Sequence, residues 1–224
     1  MTQSPAVRIT GRSGPIRIGE RAARTLVTEL ARINDPKTAL LVGAGPESAV
    51  LAAAIEALLP GDRLTVVPVE PLGAAALREH VTAQGRWVAD RVSVVDSLAE
   101  AEPAGVVIAG EVFAGSAEET RGGIEGLAKY LSDGAVLSVA TVATPGRTTG
   151  AAAELARQDA LYGVGADLVL RNSPPVRVYR LRFTPASPAS ADRLAPAHRP
   201  SSVPLTRGMH IDSNGVAAAG IALG

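Results

Sequence analysis

Apolar residues along this chain fall into two kinds of run. Short β-branched blocks end at glycine, proline or aspartate, and between them apolar positions recur every three or four residues. Residues 38–70 show the unit most plainly. An apolar run (39–42) meets the turn Gly43-Ala44-Gly45-Pro46, and Val50, Leu51, Ala54, Ile55 and Leu58 then mark one face of a helix. Pro60-Gly61-Asp62 stops that helix and residues 64–67 form a second apolar run. The pattern predicts a right-handed β–turn–α–β crossover with parallel strands. Such a unit sets a helix N-terminus beside the carboxyl ends of the strands, where open α/β sheets bind nucleotide-like ligands.

The same alternation continues on both sides. Residues 1–17 are polar and glycine-rich, with Arg8, Arg12 and Arg17, and read as an N-terminal arm. Residues 18–33 carry Ala22, Ala23, Leu26, Val27 and Leu30 at helical spacing, and Asn34-Asp35-Pro36 ends them. After Glu70 a helix runs from Pro71 through Ala74, Leu77 and Val81 to near Gly85. Residues 91–95 are a third strand closed by Asp96-Ser97, and 104–109 a fourth with Gly110-Glu111 as its exit. A helix over 117–131, a fifth strand over 135–140 and an alanine-rich helix over 148–161 follow. Residues 167–170 and 176–183 flank Asn172-Ser173-Pro174-Pro175, which predicts an antiparallel hairpin. The order is five strand–helix repeats and then a hairpin. From residue 184 the composition turns to Pro, Ala and Ser, and the chain closes on GVAAAGIALG. The domain reading is an arm (1–17), a Rossmann-like domain (18–183) and a C-terminal extension (184–224) that is a linker or surface-hugging segment. Its last residues are open to three readings: an added strand, a docking tail or the stump of a longer chain.

Composition narrows the partners more than the fold. At 224 residues, 46% hydrophobic and 20% charged, the chain suits one α/β domain with extensions. Only 3% is aromatic, so packing rests on many small contacts. Basic and acidic residues balance at 22 each, which does not favour nucleic acid as a partner. Lys37 and Lys129 are the only lysines, a bias read as one of coding and not of function. The absence of cysteine excludes disulfides, thiolate catalysis and cysteine-ligated metals. His80, His198 and His210 lie in separate segments without metal-ligand spacing, and no Gly-x-Ser-x-Gly elbow or P-loop lysine is present. With no signal-like apolar region at the start and no run of ~18 apolar residues, a cytoplasmic protein without a membrane span is expected.

Over residues 18–183 the order of runs resembles the class I S-adenosylmethionine-dependent methyltransferases. The resemblance implies a doubly wound α/β fold, a mostly parallel seven-stranded sheet with a C-terminal antiparallel hairpin. It also implies S-adenosylmethionine as cofactor. Gly43, Ala44, Gly45 and Pro46 match the glycine loop that lies against the methionine part. Glu70 stands two residues beyond the usual ribose-binding acid, Asp96-Ser97 matches the adenine-side pair, and Glu111 falls in the segment that faces the transferring methyl. Three positions depart from the family pattern. Leu41 stands where an acid usually precedes the first glycine, Glu47 replaces the third glycine, and Pro68 occupies the ribose position. The resemblance implies no fixed catalytic residue, because methyl transfer is an in-line displacement that needs mainly positioning. The acceptor is therefore not legible from the fold.

Each signal has a plainer reading. Gly-x-Gly also serves tight strand–helix turns, and it opens nicotinamide- and flavin-binding domains, although Ser48 replaces their third glycine. Asp96 suits an N-cap, and Glu70 a solvated turn. Asn172-Ser173-Pro174-Pro175 faintly resembles the Asn-Pro-Pro-aromatic loop of amino-group methyltransferases, but its place in the hairpin makes it a proline turn. Arg177, Arg180 and Arg182, with Arg8, Arg12 and Arg17, suit either an anionic substrate or a solvated edge. The expectation is a methyltransferase of unidentified acceptor. The runner-up is a non-catalytic protein of the same fold serving as a binding or assembly subunit, and the third reading a nicotinamide-dependent oxidoreductase. A homo-oligomer is left open.

Overall fold

The structure, a computed structural model, describes residues 16–144, 146 and 148–183. The expectations for Arg8, Arg12, His198, His210 and the extension 184–224 lie outside the described residues.

The predicted runs become β1 (Thr38–Ala44), β2 (Arg63–Pro68), β3 (Val92–Val94), β4 (Ala104–Phe113), β5 (Leu131–Val142), β6 (Gly163–Val169) and β7 (Val176–Leu181). They form one seven-stranded sheet in the order β3-β2-β1-β4-β5-β7-β6. β1 to β5 pair in parallel, whereas β7 runs antiparallel to both β5 and β6. This is the doubly wound sheet with a terminal hairpin that the order of runs implied.

The continuous apolar character of the strands follows from burial on both faces. On β1, Ala39 and Leu41 join one core cluster while Leu40 and Val42 join the other; on β4, Val106 and Ile108 oppose Val107 and Ala109 in the same way. The first cluster packs under α1 (Glu20–Leu26), α2 (Thr28–Arg32), α3 (Ala49–Ala57), α4 (Ala74–Ala83) and α5 (Arg86–Ala89). The second packs under α6 (Ala117–Ala128) and α7 (Gly150–Tyr162), through Ile124, Leu127, Ala151 and Leu155. Ser116 and Glu119 form a capping box that starts α6, and the Thr149 hydroxyl accepts from the Ala152 N–H to start α7.

Several boundaries differ from the expected ones. The first helix breaks at Val27, where the Thr28 hydroxyl donates to the carbonyls of Arg24 and Thr25 and competes with the helical ladder. The helix begun at Pro71 starts as a single 3₁₀ turn, Pro71–Gly73. Four residues after Gly85 form α5, too short to show any periodicity. β4 continues past Gly110-Glu111 because Val112 and Phe113 are buried, and β5 begins at Leu131 with Gly134 absorbing a positive φ of 74°. β6 reaches back to Gly163 and is mostly exposed, paired only with β7.

Two buried ion clusters hold the frame. Asp62, at the foot of β2, takes a 2.7 Å bond from the Lys37 ammonium and accepts from the backbone N–H groups of Leu59 (2.7 Å) and Lys37 (3.2 Å). Burial pushes its carboxyl up, but the Lys37 bond and the two N–H groups outweigh that and leave it lowered. On the opposite face, Glu154 of α7 accepts from Arg157 and Gln158 of its own helix and from Arg121 of α6. Arg157 first, and then Arg121, hold its carboxyl well below the usual carboxylate range.

Asp62→Ala leaves the Lys37 ammonium buried without its counter-charge, so denaturant unfolding should show a loss of about 3–5 kcal/mol. A loss under ~1 kcal/mol would mean that Lys37 escapes to water. Glu154 has a depressed folded pKa, so its stabilisation is complete above the ordinary value of 4.5 and fades as pH falls below it. The stability of Glu154→Gln should therefore change less steeply between about pH 5 and pH 2 than that of wild type, by thermal unfolding across that range.

Candidate functional site

The carboxyl ends of β3, β2, β1 and β4 lie side by side, and they carry every residue that the sequence singled out. At β1 the strand runs regularly to Val42, bulges at Gly43 and re-pairs Ala44 with Pro68. Gly43 takes φ +83°, a left-handed conformation that a side chain would strain. The chain then turns through Gly45 and Pro46, with the Ser48 N–H donating to the Gly45 carbonyl at 3.0 Å, into α3. Gly45 differs from Gly43. A Cβ built there meets no atom within 4 Å, so nothing in the protein requires glycine at that point.

β4 is irregular at the same level. Against β5 its register slips between Ile108 and Val112, leaving Ala109 to Glu111 outside the regular ladder. Gly110 sits there because β1 and β4 touch: a Cβ on it would lie 2.7 Å from the Gly43 carbonyl oxygen and 3.1 Å from that of Val42. The next residue, Glu111, lays its side chain on the glycine loop. Its Cγ and Oε2 are 3.2 and 3.4 Å from the Cβ position of Gly43. Glu111 is half-buried, and among the described residues its carboxylate has no hydrogen-bond or ion-pair partner. Burial alone pushes its carboxyl up.

The β2 and β3 ends are more open. Glu70 is exposed, and its carbonyl accepts from the Gly73 N–H at 2.8 Å to form the turn before α4. Val69 and Leu72 beside it are apolar yet 51% and 93% exposed, an uncovered apolar surface next to a carboxylate. Asp96 does not cap a helix. Its carboxylate binds Arg78 of α4 at 2.7 Å, and the same guanidinium nitrogen reaches the Val94 carbonyl at 3.2 Å. Ser97 donates to Glu100 at 3.0 Å, and Glu100 also accepts from the Asp96 N–H at 3.4 Å. The single 3₁₀ turn Leu98–Glu100 thus folds back on the loop.

Of the proposed set, Gly43 and Glu111 are in contact, and Ala44, Gly45 and Pro46 continue from them. Glu70 and the Asp96–Ser97 pair share the edge but stand on the next two strands. Gly110 and Arg78 are the residues that sequence reasoning missed as site elements. A glycine ending an otherwise fully apolar strand was the available signal for Gly110; nothing local marks Arg78. The departures are explained by burial: Leu41 is fully buried and Pro68 is buried, whereas Glu47 is exposed at the turn.

Other candidates fall away. Arg180 is buried and paired with Asp167 and Glu29, so it is part of the frame and not a free anion-binding group. Asn172 is also structural: its side chain accepts from the Gly19 N–H at 2.7 Å and donates to the Pro174 carbonyl at 2.7 Å, which makes the proline turn an anchor for the start of α1. His80 pairs with Gln84, and among the described residues no group of His, Asp and Glu could hold a metal. Among the described residues no helix is long and apolar enough to cross a membrane.

No protein-family model and no curated protein matches the chain. Solved structures do. The O-methyltransferase TomG from Streptomyces achromogenes, solved in complex with S-adenosylmethionine, superposes with a TM-score of 0.53 at 16% identity over 76% of this chain and 82% of its own. A precorrin-6y C5,15-methyltransferase from Geobacter metallireducens gives 0.52 at 18% identity over 77% and 93%. TrmN from Thermus thermophilus gives 0.55 at 15% identity over 74% of this chain and 49% of its own. At such identities the likeness is one of architecture, and it agrees with the sheet order above strand for strand. The chain has the fold of the class I S-adenosylmethionine-dependent methyltransferases.

Proposed function

We propose that this protein binds S-adenosylmethionine at the carboxyl edge of β1 to β4 and transfers its methyl group to an acceptor. The observation that carries the reading is the pairing of Gly43 with Gly45. The first is a glycine because the backbone needs it, while the second faces open space that no protein atom fills. A ligand lying over that loop gives the second glycine its reason. In this reading Gly43, Ala44, Gly45 and Pro46 run beneath the methionine part, and Glu70 accepts from the ribose hydroxyls. Asp96 and Ser97 bound the adenine, with the exposed Val69 and Leu72 as apolar wall, and Glu111 completes the loop side.

The bound cofactor would supply a methyl group activated on a sulfonium. What remains for the chain is to orient that group, exclude water and hold the acceptor, a task of positioning and not of a fixed catalytic dyad. The acceptor class follows from none of these residues.

A second reading keeps the fold and drops the chemistry, leaving a binding or assembly subunit. Leu41 and Pro68 favour it, being buried apolar residues where the family pattern has acids, and so does the Arg78 already seated on Asp96. The nicotinamide alternative fits less well. The antiparallel β7 stands between β5 and β6, whereas dinucleotide domains run 3-2-1-4-5-6 in parallel.

Isothermal calorimetry separates the first two readings. S-adenosylmethionine should bind the full chain in the micromolar range typical of enzyme ligands, and no detectable heat at millimolar cofactor would leave the non-catalytic reading standing. Gly45→Val provides the internal control. With no protein atom in its way it should change stability by less than about 0.5 kcal/mol, yet weaken cofactor binding at least roughly tenfold, a penalty of about 1.4 kcal/mol. Unchanged affinity in that variant would remove the loop from the site.

A further inference from the structure

The family pattern supplies an acid from β1, at the position held here by Leu41, and that side chain is fully buried in the core cluster beneath α1 and α3. A carboxylate there would be buried without a partner, so the strand as packed excludes it. The nearest carboxylate to the glycine loop comes from a different strand. We propose that Glu111 supplies, from β4, the counter-charge for the α-ammonium group of S-adenosylmethionine. The inference rests on the reading above that the methionine part lies over residues 43–46.

Three observations point to Glu111 and to no other acid of the edge. Its carboxylate lies directly on Gly43, with Oε2 3.4 Å from the position of the absent Cβ, so a group crossing the loop meets it. The competing acids are differently placed. Glu47 and Glu70 are exposed to water, and Asp96 is committed to Arg78 at 2.7 Å. Finally, Glu111 is half-buried and, among the described residues, unpaired. A carboxylate in that state is unfavourable until a cation reaches it, and no lysine or arginine does so. The missing charge must then come with the ligand. Gly110 is what makes the arrangement possible, because only a residue without Cβ lets β4 press on the Gly43 carbonyl and bring the next side chain over the loop.

The ligand carries two cationic centres, and a short series tells them apart. S-adenosylhomocysteine keeps the ammonium but has lost the sulfonium charge. 5′-Methylthioadenosine has neither the sulfonium nor the amino-acid end. Calorimetry on the full chain, wild type and Glu111→Gln, is read against all three. Glu111→Gln should weaken S-adenosylmethionine and S-adenosylhomocysteine by a similar factor, on the order of tenfold to a hundredfold, and leave methylthioadenosine unchanged. Loss confined to S-adenosylmethionine would put the carboxylate against the sulfonium and overturn the proposal. Equal loss of all three, or no loss of any, overturns it as well. If the wild-type chain binds none of them, the methyltransferase reading falls together with it; if wild type binds and the variant keeps the same preferences, only this proposal falls. Thermal unfolding of the free protein gives an independent readout. At neutral pH Glu111→Gln should raise the midpoint, since it removes an unpaired half-buried charge, and a lowered midpoint would make Glu111 a structural acid and end the argument.

Discussion

The close approach of β1 and β4 at their carboxyl ends is the constraint on which the candidate site depends. The Gly43 carbonyl sits 2.7 Å from where a Cβ on Gly110 would be, so the two backbones touch at that level. Gly43 answers with a positive φ and a bulge that keeps Ala44 paired to Pro68, and the Val69 N–H still reaches the Ala44 carbonyl at 3.3 Å. Glycine is costly in a strand interior because it forfeits more conformational freedom on folding than other residues. Two of them at one crossing are tolerated because the frame is fixed elsewhere. At the amino end of the same strands, Asp62 ties the start of β1 to the foot of β2 through Lys37. β1 is therefore held by charge at one end and by backbone contact at the other, and the open loop hangs from the second.

Most of the frame was legible because its physical causes are local. Strands buried on both faces must be apolar throughout, so β1, β2 and β4 stand out as runs, and helices covering them must repeat at 3.6 residues. The failures have equally local reasons. Gly110-Glu111 looks like a strand exit because neither residue is apolar, yet Val112 and Phe113 carry β4 onward. Gly134 looks like a turn, and its positive φ lies inside β5. β6 has no apolar run to read, since GVGAD is an edge segment defined by backbone pairing and is mostly exposed.

The site was legible only as a set of positions. Spacing placed Glu70, Asp96 and Glu111 at strand ends, but spacing carries no information on what each acid already binds. Asp96 has a guanidinium from α4, a contact eighteen residues away in sequence that no periodicity marks. Arg180 shows the same limit from the other side. On the last strand it reads as a surface cation, while in the fold it is buried between Asp167 and Glu29, with Gly165 leaving it room. Charge partners are long-range properties of the sheet, and a single sequence does not display them.

The departures at Leu41 and Pro68 were reasons to doubt the chemistry, and the fold changes their weight. Both lie in a central layer covered by helices, where an acid needs a partner that the surrounding apolar residues do not provide. Their loss relieves the core. Glu111 runs the other way. A domain retained only for assembly would be more stable with a neutral residue there, because an unpaired, half-buried carboxylate destabilises the free protein and offers it nothing. Stability sacrificed at one point, beside a glycine whose front is open, is the pattern expected where a cationic ligand completes the structure. On that balance the altered loop reads as a site whose counter-charge has moved from β1 to β4, and not as a site that has decayed.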